Sequence, residues 1–180
     1  MKVCIITVYN SINSGSYWQA NALRLKLEQL GHEVYYLKRN KINNSASKIA
    51  LIKRVIKHFL KYGLKQAKHQ ISIYKEFRNA QCNFKEITKK SKIYDEIDCF
   101  ILGSDTIWNV EDNYFKNKYR LYFGGILGDK KRISYAASVG NTKYESLVEY
   151  KDIPDFLNNI SNISVRDDET RSCVKKLINK

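Results

Sequence analysis

Apolar positions along the chain fall into short strand-like runs joined by stretches of helical periodicity. Residues 2–8 form an apolar run that turns polar at Asn10, which predicts a buried first strand. A polar loop containing Gly15 is expected over 10–16. Ala20, Leu23, Leu27 and Leu30 then recur along one side of a helix, and Gly31 is its stop signal. Residues 33–37 read as a second strand, so the N-terminus is a βαβ unit, the opening of a parallel sheet. Further on, residues 98–102 form a short apolar strand that ends in Gly103-Ser104-Asp105-Thr106-Ile107-Trp108-Asn109. Residues 131–136 give another strand, followed by Ala137-Ser138-Val139-Gly140. Residues 163–165 are a last short strand with Arg166 at its end, and Asp167 is placed to cap a final helix running to about Ile178. The pattern predicts one α/β domain over 1–180, Rossmann-like and doubly wound, with a mainly parallel sheet of about five strands.

Between the second and third of these strands the pattern changes. Ile49, Ile52, Ile56, Phe59 and Leu60 fall at helical spacing, with Lys48, Lys53, Arg54, Lys57 and Lys61 between them, which predicts a basic amphipathic helix. A second helical stretch is expected over about 65–80, with Ile73 and Phe77 on one face. Charge sharpens this picture. The 180 residues carry a formal charge of +14, yet residues 38–92 hold sixteen Lys/Arg against only Glu76 and Glu86, and the remainder holds sixteen of each sign. The whole excess belongs to this helical excursion. Three explanations are ordered by plausibility. A solvated face comes first, since Lys, Asn, Ile and Tyr are all abundant. An anionic membrane surface or acidic polymer comes second. Nucleic acid comes last, because no helix-turn-helix, zinc finger or aromatic RNA-binding motif accompanies the charge.

Composition excludes several classes. A hydrophobic share of 43% with thirteen Tyr is too apolar for a disordered chain. One Pro and eight Gly exclude a Pro- or Gly-rich linker. No apolar run approaches the roughly 20 residues that cross a bilayer, and no small-residue cleavage site follows the first run. Cys4, Cys82, Cys99 and Cys173 show no metal-type spacing, and His32, His58 and His69 are scattered, so no metal site is expected. The expected location is the reducing cytoplasm.

In open parallel sheets ligands bind beyond the carboxyl ends of the strands. Four polar clusters are placed there: Asn13-Ser14-Gly15-Ser16, Gly103-Ser104-Asp105, Ser138-Val139-Gly140 and Arg166-Asp167-Asp168. The first is neither a GxGxxG nor a Walker loop, and reads either as an anion cradle or as an ordinary strand-to-helix turn. Asp105 reads as a general base or a group that orients a sugar hydroxyl, or else as a helix cap or loop-closing hydrogen bond. Trp108 is suited to stacking on a sugar or to filling the core. Arg166 is suited to clamping an anion or to pairing with the acids beside it.

The order of these pieces resembles the polysaccharide pyruvyl transferase family. The matching stretches are Asn13-Ser14-Gly15 with Gln19-Ala20-Asn21-Ala22-Leu23, then Gly103 to Asn109, then Ile133-Ser134-Tyr135-Ala136-Ala137-Ser138-Val139-Gly140, then Ile163-Ser164-Val165-Arg166. Two features depart from the family pattern: Ser14 stands where an aromatic is usual, and Ser16-Tyr17-Trp18 replaces a small-aliphatic stretch. The resemblance implies a two-domain, GT-B-type enzyme whose two Rossmann-like halves face a cleft. It implies transfer of pyruvyl from phosphoenolpyruvate to two hydroxyls of a sugar in a cell-surface polysaccharide or its precursor, with phosphoenolpyruvate as donor substrate and no further cofactor. These residues then correspond to the N-terminal, acceptor-side half, with the C-terminal domain not part of the chain and supplied, on one reading, by a separately encoded protein. Within that frame Asp105 is the expected catalytic residue, Asn13, Gly15 and Ser104 line the cleft, and Asn109 and Arg166 support it. The acceptor is expected to be a sugar, lipid-linked on one reading, which would place the enzyme peripherally at the inner face of the membrane. Two alternatives stand beside this. One is a glycosyltransferase-type domain using another activated donor. The other is a non-catalytic truncated module docking to an anionic membrane or polymer through its basic helices.

Overall fold

The computed structural model describes residues 1–11, 13–38, 52–53, 55–57, 59–80 and 84–178. The expectations placed on Lys48, Ile49, Arg54, His58 and Cys82, and on the side chain of Phe77, lie outside the described residues.

The chain folds as two compact units, one of Met1–Leu37 with Lys85–Lys180 and one of Lys38–Phe84. The first holds a six-stranded sheet. Its strands are β1 (Lys2–Ile6), β2 (Glu33–Leu37), β3 (Glu86–Ile87), β4 (Cys99–Leu102), β5 (Arg132–Ala137) and β6 (Asn162–Val165). They pair in the order β3-β2-β1-β4-β5-β6, every pair parallel. Helix α1 (Ser14–Gln29) connects β1 to β2. Helices α3 (Asn113–Lys116) and α4 (Tyr119–Tyr122) lie between β4 and β5. Helices α5 (Tyr144–Val148) and α6 (Ile153–Asn158) lie between β5 and β6, and α7 (Asp168–Ile178) follows β6. Helix α2 (Leu64–Ala80) lies in the second unit, where Ile52, Lys53, residues 55–57 and residues 59–62 are also helical.

The α/β, Rossmann-like, parallel architecture is the one the apolar runs predict. The count of strands differs by one. β3 is two residues long, too short to leave an apolar run, and it takes its place by pairing Tyr36 with Glu86 and Leu37 with Ile87.

The register follows burial. Cys4, Ile5 and Ile6 are buried opposite Phe100, Ile101 and Leu102 of β4, so the two central strands are apolar on both faces. That is how a parallel sheet covered by helices on both sides reads in sequence. Tyr36 fixes α1 to this sheet: its ring is fully buried and its hydroxyl donates to the Ala20 carbonyl at 2.7 Å. The helix starts earlier than its apolar periodicity suggests. Asn13 is the N-cap, its side-chain oxygen accepting from the Gly15 amide at 3.0 Å, so Ser14, Gly15 and Ser16 form the first turn rather than a loop. Gly31 ends the element as expected, with φ of +80°, a conformation that other residues reach at a cost.

Candidate functional site

The strand order reverses direction between β1 and β4, and right-handed crossovers then carry the two sets of helices to opposite faces. The crevice between the loops that leave the carboxyl ends of two such strands is the common ligand position in this architecture. The first loop leads into α1. The second is Gly103-Ser104-Asp105-Thr106.

These two segments are tied together by side chains. Ser104 donates from Oγ to Gln19 Oε1 at 2.6 Å. Gln19 Nε2 lies within hydrogen-bonding reach of Thr7 Oγ1 at 3.1 Å, the Val8 carbonyl at 3.2 Å and the Ser16 carbonyl at 2.9 Å. Ser16 in turn donates from Oγ to Asp105 Oδ2 at 3.0 Å, while the Thr106 amide donates to Asp105 Oδ1 at 2.8 Å. Asp105 is half-buried, and each of its oxygens accepts a hydrogen bond. The Thr106 hydroxyl adds a longer contact to Oδ1 at 3.5 Å; a carboxylate has about four acceptor positions, so these three donors orient the group and leave capacity for a further hydroxyl.

Gly103 makes this arrangement possible. Its φ is +123°, and a Cβ there would sit 2.1 Å from the Tyr135 carbonyl oxygen of β5. Only glycine lets the β4 loop pass so close to β5. The peptide bond between Gly103 and Ser104 is cis.

The far side of the loop is joined to the β5 loop by main chain. The Ser138 amide donates to the Asp105 carbonyl at 3.0 Å, and the Trp108 amide donates to the Ser138 carbonyl at 3.0 Å. Asn109 completes the join: its Oδ1 accepts from Thr142 Oγ1 at 2.7 Å and from the amides of Glu111 and Asp112 at 3.2 Å each. That oxygen is occupied by loop structure, and Asn109 acts on the crevice by holding the loop in shape.

Arg166 lies at the same edge but apart from the cluster. Two strand spacings of about 4.8 Å separate β6 from β4. Its guanidinium is half-exposed, with Nε 3.8 Å from Asp167 Oδ2, and its amide donates to the Ala137 carbonyl at 3.0 Å. Asp167 caps α7 as expected, accepting from the Thr170 amide at 2.8 Å and the Thr170 hydroxyl at 2.6 Å. Partial burial pushes its carboxyl up, but the Thr170 and Ser138 hydrogen bonds and the Arg166 charge outweigh this and hold it below the usual range.

Two roles stood open for Trp108, and its packing decides between them. Trp108 is fully buried, stacks on Phe123 at 5.2 Å and donates from Nε1 to the Tyr122 carbonyl at 3.0 Å. It belongs to the core. Trp18 is 64% exposed, on the second turn of α1, with its ring edge-on to buried Tyr17 at 5.2 Å. Side chains on a helix tend to lean toward its N-terminus, which is the end of α1 nearest Asp105. In the sequence Trp18 stands out only as part of a departure from the family pattern. Sequence reasoning missed Gln19 as the hub of the cluster.

A separate cleft of about 450 Å³ opens at the opposite, amino end of the central strands, lined by Met1, Lys2, Gly31, Glu33, Glu96 and Asp98. There the Lys2 ammonium pairs with Glu96 and the Lys2 amide donates to Asp98 at 2.6 Å, so its charges satisfy one another. Among the described residues no three His, Cys, Asp or Glu side chains group as a metal site, and no helix is long and apolar enough to cross a membrane.

The polysaccharide pyruvyl transferase family model matches residues 13–180. No curated protein and no solved structure matches the chain. The family match begins at the N-cap of α1 and runs through Asp105, the β5 loop and Arg166, and by that coverage the chain belongs to the polysaccharide pyruvyl transferase family.

Proposed function

We propose that this chain is the acceptor-side half of an enzyme that transfers pyruvyl from phosphoenolpyruvate to two hydroxyls of a sugar in a cell-surface polysaccharide or its lipid-linked precursor. The observation that supports this most is the held carboxylate of Asp105 at the β1/β4 crevice, in a chain of this family. In the proposed reaction an acid protonates the methylene carbon of the enol. The electron-deficient carbon that results is captured by a sugar oxygen, and the hydroxyl proton passes to Asp105. A second hydroxyl then displaces phosphate, which leaves with that hydroxyl's proton, and closes the ketal. Ser16 and the Thr106 amide position the carboxylate, Ser104 and Gln19 hold the crevice walls, and Trp18 offers a face to the sugar ring. Asn13 caps α1 and Gly15 lies in its first turn, and Arg166 receives an anionic group arriving along the sheet edge. The acid and most donor-binding groups come from a second half. The reaction is placed in the cytoplasm, where phosphoenolpyruvate is formed.

The reading is tested in cells. Deleting the gene is expected to remove pyruvyl ketals from the polysaccharide, seen as loss of the ketal methyl resonance. The wild-type gene restores them, and Asp105→Asn restores them at a rate lower by about 10²–10⁴-fold. Unchanged ketals after deletion would overturn the assignment. Heat stabilisation of the protein by nucleotide sugars but not by phosphoenolpyruvate would favour transfer of a sugar from another donor.

A further inference from the structure

The second unit carries a surface that pyruvyl transfer does not use. Ile52, Ile56, Phe59 and Leu60 are helical residues spaced at i, i+4, i+7 and i+8, so they share one face. None is buried: their exposures run from 46% for Phe59 to 78% for Leu60. Tyr62 and Leu64, either side of Gly63, are also more than half exposed. Lys53, Lys57 and Lys61 each sit one residue beyond an apolar position, about 100° round the helix, and form a basic stripe along the edge of the apolar one. The two stripes meet in a shallow depression lined by Lys53, Ile56, Lys57, Leu60 and Lys61. No acidic residue occurs in the sequence between Glu33 and Glu76.

We infer that this face docks on a bilayer containing anionic phospholipid. An apolar stripe of this size gains from leaving water, and lysines beside it can keep their heads in the headgroup layer while their stems cover apolar surface. The charge pattern selects among occupants. A second copy of the same face would bring six lysines together with no acid to offset them, and like charges across an interface disfavour docking. Nucleic acid would pair with the lysines but leave Ile56, Phe59 and Leu60 against phosphate, with nothing gained from their burial. An anionic bilayer matches both stripes at once. The inference stands apart from the catalytic reading, since it uses no residue of the crevice.

The test is co-sedimentation of the full chain with extruded vesicles, either pure phosphatidylcholine or phosphatidylcholine with phosphatidylglycerol. Wild-type protein is expected to bind the phosphatidylglycerol vesicles, to ignore the neutral ones, and to weaken steeply with salt. Neutralising Lys53, Lys57 and Lys61 to Gln lowers affinity about a hundred-fold, at roughly five-fold per lysine. Replacing Ile56 and Leu60 by Ser lowers it at least ten-fold with all charges kept. The substituted side chains are solvent-exposed, and circular dichroism checks that each variant is folded. Equal binding of wild-type protein to neutral and anionic vesicles, or none to either, overturns the inference without any variant. So does tight binding to RNA or heparin that Ile56→Ser and Leu60→Ser leave untouched, or a micromolar dimer that the same substitutions dissolve. None of these outcomes bears on ketal formation, so the two readings fail separately.

Discussion

At the scale of single residues, the crevice depends on where side chains point, and sequence shows that only in part. Asp105 was legible as a carboxylate just past a buried strand. Its hydroxyl partner Ser16 lies 89 positions earlier, a contact created by tertiary structure alone. The tryptophans make the same point. Trp108 lies inside the family-like motif and Trp18 outside it, yet Trp108 is core and Trp18 faces solvent. Apolar character fits both positions, and only packing separates them. Arg132 is the opposite case, a charged residue buried in a strand, its guanidinium donating to the carbonyls of Gly124 and Gly128. Spacing gives no sign of such carbonyl cages. A prediction follows for Trp18. Stacking on an aromatic face is worth about 0.5–1.5 kcal/mol, so Trp18→Ala should raise the acceptor KM about three- to ten-fold and leave kcat within two-fold. Steady-state kinetics with varied acceptor checks it; an unchanged KM would remove Trp18 from the acceptor site.

At the scale of elements, strands and caps were the most readable features because each carries a local signature. The paired strands β1 and β2, the Gly31 stop and the Asp167 cap all follow from short-range patterns. β3 does not, because two residues leave no pattern and its existence rests on Tyr36 and Leu37 beside it. The β4 loop carries the sharpest test. A Cβ on Gly103 would meet the Tyr135 carbonyl oxygen at 2.1 Å, in a backbone conformation that L-residues avoid. Gly103→Ala should cost about 3 kcal/mol or more, lowering the thermal midpoint by about 10 °C at this chain length. Calorimetry measures it, and an unchanged midpoint would contradict the close approach. Helix α7 gives a pH test. The Asp167 carboxyl is held below its usual range, so the stability it contributes is present above the ordinary carboxylate pKa and is lost as pH falls through the lowered native value. The midpoint gap between wild type and Asp167→Asn should therefore be largest near neutrality and close below about pH 4. The gap should be modest, because the carboxylate is partly solvated. A gap that widens on acidification would be the wrong sign.

At the scale of the whole molecule, Cys4, Ile6, Phe100 and Leu102 of the central strands share a core with residues of the helices and loops that follow β4 and β5, while Ile5, Ile101 and Tyr36 are buried outside that cluster. Cys4 and Cys173 are part of it, and Cys99 is buried as well. Burial pushes all three thiols above the ordinary cysteine range, and the thiolate is the reactive form. A thiol reagent should thus modify at most one cysteine per native chain, and the other three only as fast as the protein unfolds. Counting thiols by absorbance in buffer and in denaturant checks this. Rapid modification of two or more in buffer would mean that the core is open. The net charge behaves differently at this scale. It is a property of residues 38–92, while the remainder of the chain, with the crevice residues in it, is balanced.

The main-chain join between the Asp105 and Ser138 loops has a consequence for how such an enzyme changes its acceptor. One wall of the crevice is welded to the sheet through backbone atoms, which no side-chain replacement can alter cheaply. The other wall is the first turns of α1, where Trp18 is held chiefly by one edge contact and stands in water. Under the proposed function, substitutions that retune acceptor choice at small cost in stability are therefore expected at Trp18, while Ser16, Gln19 and the Asp105 carboxylate stay in place.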